Sequence, residues 1–195
     1  MGVIIVSCDK DDDAEPKGEK VTVSGDITQN TTWAAEDTIV LDGYVYVNNG
    51  VTLTIEPGTV IRGLSDTKAC LIIERGGKII ADGTQNKPIV FTSDKPVGER
   101  KPGDWAGIII CGKAPINQTG GEAEIEGGTG AVYGGTDATD NSGILRYVRI
   151  EFAGFEVTSG NEINGLTMGG VGSGTTIEYV QVSFGRDDSF EFFGG

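Results

Sequence analysis

From Val21 onward, apolar residues alternate with polar ones in runs too short for helices. Val21-Thr22-Val23, Thr38 to Leu41, Tyr44 to Val47, Val51 to Ile55 and Leu71 to Ile73 carry this pattern. Period-two alternation, β-branched enrichment and Gly or Asn at the breaks predict strands, and no segment shows a helical apolar stripe. The expected class is all-β.

The alternation also repeats. Ile144-Leu145-Arg146-Tyr147-Val148-Arg149-Ile150-Glu151-Phe152 and Thr176-Ile177-Glu178-Tyr179-Val180-Gln181-Val182-Ser183-Phe184 share Tyr, Val and Phe in phase, 32 residues apart. Val45-Tyr46-Val47-Asn48-Asn49-Gly50 recurs in pattern as Leu71-Ile72-Ile73-Glu74-Arg75-Gly76, 26 residues on. Thr54 to Thr59 then matches Ile79 to Thr84 after a one-residue slip. Periods of this size mean stacked units that cannot bury their apolar faces alone. A four-stranded propeller blade needs roughly 40 to 45 residues, more than these periods allow. The expectation is a right-handed parallel β-helix over residues 21–195, with inward Val, Ile, Leu and Phe stacked coil on coil.

The polar, Gly-rich stretch from Asn117 to Gly143 interrupts the pattern and is expected to be a lateral loop, where binding specificity on solenoids usually lies. The Phe192-Phe193-Gly194-Gly195 end leaves an apolar cross-section where solenoids carry polar caps, so the chain is expected to be truncated at its C-terminus.

Composition narrows the function classes. With 195 residues, one domain suffices, and 32 glycines beside 6 prolines suit many tight turns. A net charge of −14 opposes phosphate backbones, so nucleic acid is not an expected partner. The chain has no histidine, which excludes a Ser-His-Asp triad, a Cys-His pair and His-based metal sites. Three cysteines, Cys8, Cys70 and Cys111, are too few for a disulfide framework or a four-ligand zinc site. Cys70 and Cys111 sit by apolar strand runs and read as inert buried thiols.

At the N-terminus, Gly2 to Ser7 is a short apolar run ending at Cys8, followed by Asp9-Lys10-Asp11-Asp12-Asp13. It falls short of the roughly 20 apolar residues that span a bilayer. Residues 1–8 resemble the tail of a bacterial lipoprotein signal peptide, with Cys8 as the acylated residue, although Ile5 stands where such signals usually carry Leu. The basic region and most of the apolar region of a signal are missing, so Met1 need not be the true start. Residues 9–20 read as an acidic flexible tether, similar to the surface-export signal of Bacteroidetes lipoproteins.

A wider resemblance rests on Leu53-Thr54-Ile55-Glu56-Pro57-Gly58-Thr59, on Gly83-Thr84 followed by Pro88-Ile89-Val90-Phe91-Thr92-Ser93, and on Trp105-Ala106-Gly107. In combination these resemble β-helix envelope lipoproteins of Bacteroidetes with the pectate-lyase-like fold, over about residues 38–195. The resemblance implies the fold and a lipid-anchored, surface-exposed place on the bacterial outer membrane, with membrane attachment through the anchor alone. Most family members have no assigned biochemical role.

Three residue sets carry candidate chemistry. Asp187, Asp188 and Glu191 beside Arg186, with Glu151 on the preceding coil, form an acidic set that could hold calcium or, as in pectate-lyase-like enzymes, serve catalysis. The plainer reading is that the Asp pair caps a turn and Phe190, Phe192 and Phe193 fill a core. Trp33, Tyr44, Tyr46 and Trp105 could form a glycan-stacking platform, against the plainer reading of packed ring residues. Gly107, Gly112 and Lys113 have phosphate-loop spacing but fail on context: Ala114 replaces the Ser or Thr, and Ile108 to Ile110 read as strand.

The expected function is therefore a non-catalytic cell-envelope module that binds glycan or another envelope component, such as a polysaccharide or an envelope protein. The alternatives are a polysaccharide lyase or glycoside hydrolase with an acidic, calcium-dependent site, and a structural stalk or adhesin. No catalytic residue is assigned, and calcium is the one cofactor considered.

Overall fold

The computed structural model describes residues 18–158 and 161–195. Cys8 and most of the acidic tether lie outside these residues. No helix among them is long and apolar enough to cross a membrane.

The chain winds as a right-handed parallel β-helix whose flat turns carry three strand positions. The early coils run through β1 (Lys20–Ile27), β2 (Thr31–Trp33), β3 (Thr38–Val47) and β4 (Thr52–Ile55). The middle coils follow with β5 (Val60–Gly63), β6 (Cys70–Ile73), β7 (Lys78–Asp82), β8 (Ile89–Ser93) and β9 (Gly107–Cys111). A first excursion holds β10 (Glu122–Glu124) and β11 (Val132–Gly134) before β12 (Gly143–Glu151) resumes the coil. A second holds β13 (Phe155–Thr158) and β14 (Asn161–Ile163) before β15 (Leu166–Gly169), β16 (Thr176–Ser183) and β17 (Phe190–Phe193).

Parallel pairing sorts these strands into three faces. The first face stacks residues 20–23, 38–41, β5, β8 and the second halves of β12 and β16. The second stacks residues 25–27, 44–47, β6, β9, β15 and β17. The third stacks β2, β4, β7 and the first halves of β12 and β16.

Both repeats are stacking registers. Ile144 pairs with Thr176 and Val148 with Val180, which is the 32-residue offset, and Val45 pairs with Leu71 at the 26-residue offset. The expected one-residue slip is not in the ladder, because Thr54 pairs with Ile80 and the 26-residue offset continues through β7. The shift belongs to the turn after the strand.

Alternation sends one side chain in two to a continuous interior column. Val45, Leu71, Ile108 and Leu166 stack on the second face, and Trp33, Ile55, Ala81 and Leu145 on the third. Each coil therefore stabilises its neighbours through apolar area that no single coil could hide. Gly143 lets β12 rejoin the stack: its φ is +118°, and a Cβ there would stand 1.9 Å from the Ile79 carbonyl oxygen.

The excursions differ from a plain surface loop. The first leaves directly after Cys111, five residues before the expected start, and β10 and β11 pair antiparallel within it. Ile125, Ala131 and Tyr133 from it, with Ile163 from the second, bury the outward side of the second face in a separate apolar cluster with Cys70, Ile72, Ile109 and Cys111.

Candidate functional site

The four expected stacking residues do not form a platform. Trp33 and Trp105 are interior residues, 3% and 0% exposed. The Trp105 ring lies on Phe91 with centroids 6.3 Å apart, and its Nε1 donates to the Glu151 carbonyl at 2.7 Å. It occupies space that Gly63 leaves empty, since a Cβ on Gly63 would meet the Trp105 Cβ at 2.7 Å. Tyr46 does face outward, as expected, but outward on the second face means under the excursion. The hydroxyls of Tyr44 and Tyr46 donate to the Gly127 and Thr129 carbonyls at 3.1 and 2.8 Å. Their rings are staples for the loop.

The acidic set is also dispersed. Glu151 ends a strand of the first face, buried, where Arg149 pairs with one carboxylate oxygen and the Thr92 hydroxyl donates to the other at 3.2 Å. Asp187 and Asp188 are exposed in the turn between β16 and β17, and the Asp188 carbonyl accepts from the Gly165 N–H at 3.0 Å. Glu191 stands on the second face, receiving a hydrogen bond from Asn164 Nδ2 at 2.7 Å. Among the described residues no three acidic or sulfur side chains converge on one point. Burial pushes the Glu191 carboxyl up to about 7, against the pull of the Asn164 hydrogen bond and with help from Glu126 and Asp188.

The thiols of Cys70 and Cys111 are buried and unpaired. Burial raises both, Cys111 to about 12, so neither is a thiolate at neutral pH. Residues 107–111 form strand β9, which leaves no phosphate loop at Gly107, Gly112 and Lys113.

Two of the surface concavities among the described residues bear on function. The first, about 500 Å³, lies where three successive corners meet the β10–β11 hairpin. Asn49, Glu74, Arg75 and Lys113 line its floor and Asp137 its rim. Arg75 is engaged, since its Nη1 pairs with Glu122 at 2.5 Å and donates to the Gly134 carbonyl at 3.0 Å, tying the hairpin to the coil.

The second is a groove of about 440 Å³ along the corner between the third and first faces. Here β12 and β16 each turn the corner on a single left-handed residue, Tyr147 (φ +48°) and Tyr179 (φ +53°). The two rings stack with centroids 4.5 Å apart and planes 8° apart. Tyr179 is 69% exposed, so its ring face away from Tyr147 is open. Arg149, Gln181, Gln85 and Asn86 add planar polar side chains to the same groove. Beside it, Arg146 bridges Asp82 and Glu178 at 2.9 Å each, which offsets part of the negative charge of neighbouring coils.

Tyr147 and Tyr179 were visible in the sequence as the shared tyrosine of the 32-residue repeat. Their role was not, because period-two alternation has no value at a corner.

The model of the pectate-lyase like beta helix domain family matches residues 25–195. No curated protein and no solved structure matches the chain.

Proposed function

Because the chain belongs to the pectate-lyase-like β-helix domain family, we propose that it is a non-catalytic recognition module that binds glycan along the Tyr147–Tyr179 groove. The observation that carries this reading is the exposed aromatic pair set beside amide and guanidinium groups. Sugars offer C–H faces that pack on open rings and hydroxyls that hydrogen-bond to planar polar side chains. The acidic residues of adjacent coils support the same reading, since Arg146 engages both Asp82 and Glu178 in ion pairs beside this groove. Anchoring by an acylated Cys8 on the outer surface of a bacterial outer membrane completes the proposal, and places the groove among envelope polysaccharides.

The test is a glycan array on the full chain, followed by a product assay on every hit. Binding that falls about tenfold or more in Tyr179→Ala and Gln181→Ala, with the glycan recovered intact, supports the module. Cleavage of a bound glycan overturns it in favour of a lyase or hydrolase. Binding that survives both variants but is lost in Lys113→Ala moves the site to the cleft under the hairpin. No binding at all favours the stalk.

A further inference from the structure

After Asp26, the outward row of the second face runs Tyr46, Ile72, Ile109, Thr167, Glu191, one residue per coil. It begins aromatic, continues apolar and ends polar under the first excursion. Thr167 is 2% exposed, yet its hydroxyl has no hydrogen-bond partner. It points the same way as Glu191, its ladder partner on the next strand, because Leu166 and Met168 on either side of it face the interior. Asn164, 3% exposed, donates through Nδ2 to Glu191 Oε2, while its Oδ1 is buried and unpartnered. From the excursion, Glu126 comes near enough for its negative charge to act on the Glu191 carboxyl.

Such an arrangement is short of positive charge. Two carboxyls held near each other repel unless a proton or a cation offsets their charge. Two buried oxygens left without partners destabilise the fold unless something supplies the missing contact. All four groups can offer oxygen, and Asn164 can do so after half a turn of its amide, which exchanges oxygen and nitrogen.

We infer that Glu126, Glu191, Asn164 and Thr167 form a site for a hard divalent cation, with calcium the best match. The donors are two carboxylates, an amide oxygen and a hydroxyl, with water able to complete the shell. Calcium accepts six to eight such oxygens at flexible angles, whereas magnesium demands a near-ideal octahedron. The site differs from the set expected from the sequence: it keeps Glu191, replaces Asp187, Asp188 and Glu151, and takes its second carboxylate from about 65 residues upstream. A bound ion there staples the excursion to β15 and β17.

The test is terbium titration of the full chain at pH 7.5, read by luminescence sensitised through Tyr133, whose ring lies over Gly169 within electrostatic reach of both carboxyls. Saturable emission displaced by calcium, weakened about tenfold or more in Glu126→Gln and Glu191→Gln and unchanged in Asp187→Asn, is the expected result. Calcium should also raise the melting temperature of the wild-type chain over its value in chelator. Thr167→Val guards against variants that merely misfold. Removing a partnerless buried hydroxyl should leave the ion-free fold as stable or more so, while weakening calcium. Emission as strong in Glu126→Gln and Glu191→Gln as in the wild type, or no calcium effect on melting, overturns the inference and leaves a proton as the only occupant.

Discussion

Tyr147 and Tyr179 each hold a left-handed backbone that disfavours a bulky residue by roughly 1 to 2 kcal/mol. Phe152 and Phe184 do the same one corner on, at φ +60° and +55°, and stack with centroids 5.0 Å apart. Aromatic stacking returns about 0.5 to 1.5 kcal/mol per pair, so the ladder contact offsets only part of the strain of its two corner residues. Two substitutions separate them. Tyr147→Ala keeps the Cβ clash and loses the stack, whereas Tyr147→Gly loses the stack but relaxes the backbone. Denaturant unfolding should show the Ala variant less stable than the Gly variant by about 1 kcal/mol.

Glu191 gives a pH signature. Its folded-state proton affinity is raised from the ordinary 4.5 to about 7. Between those values the unfolded chain has lost the proton that the folded chain retains, so stability falls as pH rises through this window and levels off above it. Unfolding in chelator at pH 5 and pH 8 should show a fall for the wild type that is reduced in Glu191→Gln. An equal fall in both proteins would place the effect on other groups.

At the scale of elements, the β10–β11 hairpin depends on the coil beneath it. An isolated two-stranded hairpin is marginal in water, and this one persists because Ile125, Ala131 and Tyr133 dock on the outward side of the second face. Tyr133 packs its ring on Phe193 at 5.8 Å. Tyr133→Ala removes a buried aromatic, a change worth about 3 to 5 kcal/mol in a core. Hydrogen exchange should then accelerate at residues 122–134, while β6 and β9 beneath keep their protection. The sequence alone suggested only a polar excursion here, since three apolar residues scattered through a Gly-rich stretch carry no period. The second excursion had no signal at all.

For the molecule as a whole, alternation and repetition were enough to specify a parallel β-helix. Each inward residue meets its equivalents one coil above and below, so the same local pattern solves the burial problem at every turn. That is why Ile144 and Thr176 could be matched from the chain text and are ladder partners in space. Turns between strands tolerate insertion, so the offset assigned from Thr54 onward was one residue off the true register.

What a residue faces once it points away from the interior was settled elsewhere in the chain. Tyr44 and Tyr46 are covered by carbonyls 83 residues ahead. Glu191 meets Glu126 through a loop whose path no periodicity describes. Trp105 lies in a connection and Trp33 on a three-residue strand, where alternation is too short to tell inside from outside. The sequence by itself determined the fold, because stacking energy depends on neighbours at a fixed period. The tertiary structure alone decided which outward surfaces meet water and which carboxyls meet one another, because those contacts depend on where two aperiodic excursions come to rest.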